Sequence, residues 1–167
     1  RDTPYTWDTT TAPGGTGGRV RVIASDGWRL AHDDSDRAFT VVQKVPLVTI
    51  NLPLDGDTVV RGLPITFLGD SIDPEQGPLS DEALRWSSDR SGYLGTGRRV
   101  TTDTLVAGKH IVTLTATDTL GTRGTATVTL TVLADADGDR MPDEWEKLHS
   151  SLQPSMADGR GDVDADE

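Results

Sequence analysis

The sequence predicts an all-β chain, and three observations carry that expectation. Thr, Val, Gly and Asp are abundant, a composition that favours strands and turns. Apolar and polar residues alternate over short runs, most cleanly from His110 to Asp118. Gly-, Pro- and Asp-rich clusters punctuate those runs at intervals of roughly 8–12 residues, the rhythm of a two-sheet sandwich.

Residues 47–133 read as one complete domain. Val48-Thr49-Ile50 opens it. Leu63 to Leu68 alternates apolar and polar residues, as a half-buried strand should. Asp70 to Gln76 is rich in Pro and Asp and reads as a loop. Leu84 to Ser87 is a short strand centred on Trp86, the expected heart of the core. Gly92 to Gly97 holds three glycines and reads as a turn, followed by a strand from Arg99 to Leu105. His110 to Asp118 and Gly124 to Val132 form the closing hairpin. About seven short strands at this spacing predict a β-sandwich.

The first 42 residues repeat the second half of that domain. Val20, Val22, Ala24 and Asp26 match Val112, Leu114, Ala116 and Asp118. Phe39 to Val42 matches the strand around Val128 to Val132, and Trp7-Asp8-Thr9 with Gly14-Gly15 matches the run through Asp103-Thr104 and Gly108. Residues 1–42 are therefore expected to be the last three strands of another sandwich, joined by a short linker, residues 43–46.

Chemistry concentrates at the other end, in residues 134–167. Asp135, Asp137, Asp139, Asp143 and Glu146 fall at positions 1, 3, 5, 9 and 12 of a loop, the ligand spacing of an EF-hand-type calcium site. Met141, at position 7, would add its backbone carbonyl. Glu146 would close the site from the first turn of a helix that contains Pro142. Trp145, Leu148 and Leu152 would form that helix's apolar face. Position 6, normally Gly, is Arg140, and a non-Gly residue at positive φ there costs roughly 1 kcal/mol. Asp162, Asp164 and Asp166 begin a second acidic loop with no closing Glu. Asp162 also ends an Arg160-Gly161-Asp162 triplet, better explained as part of that loop than as an adhesion signal.

Charge agrees with this division. The net charge is −11. From Ala134 onward there are eleven acidic and three basic residues, a net −8. A divalent cation would neutralise much of it. The absence of a basic stripe disfavours nucleic-acid binding. There is no cysteine, so neither a disulfide framework nor a thiolate metal site is available. No apolar run is long enough to span a membrane as a helix. A calcium loop of this kind fills where calcium is millimolar, which places the chain outside the cell. It starts at Arg1 and stops inside the second acidic run, which reads as a piece of something longer.

The run from Asp73-Pro74-Glu75 through Leu79-Ser80, Leu84-x-Trp86-Ser87-Ser88, Leu94 to Gly97, and Gly108-x-His110 to Ala116-Thr117-Asp118 resembles the tandem immunoglobulin-like and polycystin-type (PKD) domains of bacterial secreted and surface proteins. It covers most of residues 47–133. The Trp-x-Phe-Gly-Asp-Gly signature of true polycystin-type domains is absent, so an immunoglobulin-like sandwich is the expectation. The tail resembles thrombospondin type 3 and EF-hand-like calcium repeats. These families imply structural, spacing and adhesive roles and no catalysis.

Other chemistry has little support. His32, His110 and His149 are isolated from one another, and His110 reads as structural. Asp26 and Asp118 sit at hairpin corners where Asp caps turns. A calcium role there, or at Asp73 and Glu75, is the lesser alternative. Trp28 follows a turn glycine, with packing on its hairpin as its expected role and sugar stacking as the alternative. The expected function is thus a calcium-binding extracellular structural or adhesive module, not an enzyme. The alternative is an accessory spacer or carbohydrate-binding module of a secreted bacterial hydrolase. Because three strands leave open edges and an apolar face, self-association into a fibre or surface structure, or strand complementation by another chain, is expected as well.

Overall fold

The structure is a computed structural model that describes residues 4–10, 12–149 and 151–157. Asp162, Asp164, Asp166 and the Arg160 to Asp162 triplet lie outside the described residues.

Four short strands come first: β1 (Gly15–Gly18), β2 (Arg21–Ser25), β3 (Leu30–Asp34) and β4 (Phe39–Val41). β2 pairs with β3 and β1 with β4, both antiparallel. Together they make one long hairpin interrupted midway. The interruption is stitched by Ser35, whose amide donates to the Val20 carbonyl at 2.8 Å and whose hydroxyl accepts the Val20 amide at 3.2 Å. Residues 4–9, ahead of the hairpin, form no regular strand.

The sandwich is immunoglobulin-like. It comprises β5 (Leu47–Leu52), β6 (Asp57–Val60), β7 (Ile65–Asp73), β8 (Gly77–Pro78), β9 (Leu84–Ser88), β10 (Gly92–Thr96), β11 (Arg99–Thr102), β12 (Gly108–Thr117) and β13 (Arg123–Leu133). One sheet has the order β10-β9-β12-β13-β6, and the other β11-β7-β5 with β8 beside β7. Every pairing is antiparallel except β6 with β13.

The alternation visible in the sequence explains β12. His110, Val112, Leu114 and Ala116 are buried on one face, while Lys109, Ile111, Thr113 and Thr115 point away from the core. Trp86 is fully buried, as expected, and meets the Phe67 ring at a centroid distance of 5.4 Å. Its indole N–H donates to the Gly97 carbonyl at 2.9 Å, so the buried polar end is satisfied. Gly69 lets the two sheets close at this point. A Cβ there would lie 2.5 Å from Leu114 and 2.7 Å from the Thr49 carbonyl oxygen.

Two expectations need correction, and one strand went unanticipated. Gly92 to Gly97 is largely a strand, because Tyr93, Gly95 and Thr96 pair across to β9, with Leu94 bulging between them and Gly95 at φ 153°. The strand expected to end at Leu68 runs on to Asp73, held by β5. β6 had no clear signal, since its four residues gain their order from the parallel ladder with β13.

Candidate metal site in the acidic loop

β13 ends at Leu133 and the chain turns at once into the acidic loop. Asp135 organises it from the inside. It is 6 % exposed. One of its carboxylate oxygens accepts the Gly138 amide at 2.7 Å, and the other the Arg140 amide at 3.0 Å. Asp137 accepts the Asp139 amide at 3.2 Å, and Asp139 accepts the Met141 amide at 2.8 Å. These are successive Asx turns, the local geometry that short acidic side chains favour. Asp143 fastens the ends: its carboxylate accepts the Ala136 amide at 2.7 Å, and its amide donates to the Ala134 carbonyl at 3.0 Å.

The effect is convergence. Asp135, Asp137 and Asp139 each offer an oxygen within 4.8 Å of the others. Oδ2 of Asp137 is buried and accepts no hydrogen bond. Like charges this close repel by roughly 3 kcal/mol per pair at an effective dielectric constant of 20. A hard cation with oxygen ligands would reverse the sign of that interaction. Glu146, at position 12, is 1 % exposed on the single helical turn α1 (Asp143–Glu146). The donor set, carboxylates without nitrogen or sulfur, fits a hard cation such as calcium, magnesium or manganese rather than zinc or copper.

Arg140 takes φ 82° and Gly138 φ 80°. Position 6 therefore makes its left-handed turn with an arginine. Pro142 differs from expectation. With ψ 136° it caps α1 instead of entering its first turn. The apolar face expected on the helix is not packed either. Leu148 is 82 % exposed and Trp145 stacks on His149 at 3.8 Å, while the buried side chain of α1 is Glu146.

Elsewhere the structure assigns roles to the remaining candidates. Asp118 accepts the Leu120 and Thr122 amides at 2.9 and 2.7 Å. Burial works against its charge, but those hydrogen bonds prevail and hold the carboxyl below the usual range. Asp26 does the same with the Arg29 and Trp28 amides, and its carboxyl is likewise lowered. Asp73 caps the Glu75 and Gln76 amides. His110 is fully buried. Its Nε2 donates to the Val106 carbonyl at 2.7 Å, and its Nδ1 meets the Ser88 hydroxyl at 2.7 Å. That hydroxyl also accepts the Arg90 and Ser91 amides at 3.2 and 3.3 Å, so the pair ties a turn to the core.

One contact left no trace in the residue pattern. A single oxygen of Glu75 accepts the Gly14 amide at 2.7 Å and the Lys44 amide at 3.1 Å, joining the start of the N-terminal hairpin to the linker. Trp28 corrects an expectation. It is 97 % exposed at the tip of the β2–β3 hairpin and does not pack on it.

No protein-family model and no curated protein matches the chain. Among solved structures it is similar to the PKD1 domain of Vibrio anguillarum Epp, at 24 % identity and TM-score 0.41, over 54 % of this chain and 95 % of that one. It is also similar to fibronectin(III)-like modules of Clostridium thermocellum CbhA, at 13 % identity and TM-score 0.41, over 52 % and 94 %. Domains 4 and 5 of the S-layer protein SbsC align at 18 % identity and TM-score 0.31, over 70 % and 65 %. These likenesses concern the fold. Among the described residues no helix is long and apolar enough to cross a membrane.

Proposed function

We propose that this chain is a calcium-binding structural module, acting outside the cell as a spacer or adhesive unit. Asp135, Asp137, Asp139, Asp143 and Glu146 would hold the ion, with the Met141 carbonyl as a further ligand. The observation that carries the reading is the convergence of the Asp135, Asp137 and Asp139 carboxylates, together with a buried Asp137 oxygen that accepts no hydrogen bond. Calcium would stiffen the exit from β13, because the loop begins one residue after that strand ends. Its binding energy would count toward folding of the tail, since an unfolded loop has no preformed site. Isothermal titration with calcium, paired with limited proteolysis in calcium and in chelator, tests this. Saturable binding with calcium-dependent protection of residues 134–149 is expected. Absence of heat and unchanged cleavage would remove the metal from the account.

The second reading, a carbohydrate-contacting accessory module, rests on the exposure of Trp28. Retention on insoluble polysaccharides, lost on Trp28→Ala, would favour it over the first.

A further inference from the structure

Residues 43–46 join the N-terminal hairpin to the sandwich, and the side chains gathered around them come from two neighbouring turns of the sandwich. The first lies between β7 and β8. Asp73, 1 % exposed, fixes it from within by accepting the Glu75 and Gln76 amides at 2.9 and 2.8 Å. The second lies between β12 and β13 and is shaped by Asp118. Gln76 ties the two turns together, because its side-chain oxygen accepts the Thr119 amide at 3.3 Å.

From this platform the contacts reach the hairpin. One oxygen of the half-buried Glu75 carboxylate accepts the Gly14 amide, just ahead of β1, and the Lys44 amide, just after β4. A carboxylate acceptor makes these the stronger, charge-assisted kind of hydrogen bond. The Thr122 hydroxyl donates to the Gln43 side-chain oxygen at 3.3 Å. Leu120 lines a groove with Gly14, Thr40 and Val42 at the hairpin base. The Lys44 ammonium donates to the Thr9 and Val42 carbonyls at 3.1 and 3.2 Å. Packing is close on both sides of the linker. A Cβ on Gly14 would collide with the Gln43 backbone, and one on Gly124 with the carbonyl oxygen of buried Pro46.

We propose that Glu75 is a latch that holds the N-terminal hairpin at a fixed angle to the sandwich. It turns the short linker into a stiff junction. Both ends of the hairpin base share one acceptor oxygen, so a swing at either end breaks a bond to the same carboxylate. Asp73 is a positioning residue, since it sets the turn that carries Glu75. The latch uses no residue of the acidic loop, so it stands apart from metal binding and is tested separately.

The test compares the full chain with Glu75→Ala and Glu75→Gln by residual dipolar couplings and amide exchange. In the unmodified chain, couplings from residues 15–41 and 47–133 should fit one alignment tensor. Glu75→Ala should split them into two, and should speed exchange of the Gly14 and Lys44 amides at least ~10-fold. The couplings within residues 47–133 should still fit the sandwich. Glu75→Gln keeps an acceptor oxygen and loses the charge, so its exchange rates should fall between. Three results would overturn the proposal. The unmodified chain could already need two tensors. Glu75→Ala could leave one tensor and slow exchange. Or the couplings within residues 47–133 could cease to fit, which would make Glu75 a support of the sandwich and not of the junction.

Discussion

Asp135 accepts the amide of Arg140 at 3.0 Å while Arg140 holds φ 82°, so the most buried aspartate of the loop is bound to its most strained residue. The left-handed conformation costs an arginine roughly 1 kcal/mol that glycine does not pay. Arg140→Gly should therefore raise calcium affinity about fivefold, ~1 kcal/mol, as read by titration calorimetry. Unchanged affinity would mean that the strain is equally present in the loaded and empty loops.

Glu146 is buried on α1 and lies outside the converging group of Asp135, Asp137 and Asp139, and the proposed site would need it as the closing ligand. Glu146→Gln keeps its size and removes the charge. Calcium affinity should fall at least ~10-fold, and the tail should become protease-sensitive in calcium. The thermal unfolding of the sandwich should stay within about 1 °C, because Glu146 lies on α1, beyond the last strand of either sheet. A large loss of sandwich stability would show that the tail and the sandwich fold as one unit.

Within the core, Gly69 faces Leu114 and the Thr49 carbonyl too closely to accept a methyl group. Gly69→Ala should cost about 1–3 kcal/mol in urea unfolding, since the sheets must part to admit it. Trp86→Phe is predicted to cost a similar amount, ~1–3 kcal/mol. It leaves a cavity beside Phe67 and strands the Gly97 carbonyl.

The pH dependence follows from the turn aspartates. Asp26, Asp55 and Asp118 all have lowered carboxyl pKa values in the folded chain. A depressed folded value means that the unfolded state takes up protons first. The stabilisation is complete above the unfolded value of about 3.9 and disappears as the pH falls through the folded values. Calorimetry from pH 6 to pH 2 should show a falling transition temperature below about pH 4. Asp118→Asn, which can still accept the turn amides but cannot ionise, should flatten part of that slope.

Much of this was legible in the residues, for identifiable reasons. The period-two alternation of β12, β13 and β7 declares which side is buried, and Trp86 is where a core aromatic was expected. The convergence of Asp135, Asp137 and Asp139 was legible because their alternate spacing is local. β10 was not, because its glycines serve a bulged strand and a turn equally well. The pairing of β6 with β13 joins residues more than seventy apart in sequence, and no local pattern encodes it. The helix face failed because a single turn is too short to present one. The carboxylate of Glu75 reaches two amides that are distant from it in sequence, a placement set by tertiary structure alone.

The parallel ladder between β6 and β13 has a mechanical consequence. Residues 57 to 60 run alongside residues 130 to 133 in the same direction. Tension entering at the start of β6 and leaving at the end of β13 slides the two strands past each other, loading all the rungs together. An antiparallel hairpin pulled from its open end would peel one rung at a time. If β5 lets go first, this short ladder becomes the shear clamp that resists extension, and it lies immediately before the loop that calcium would stiffen.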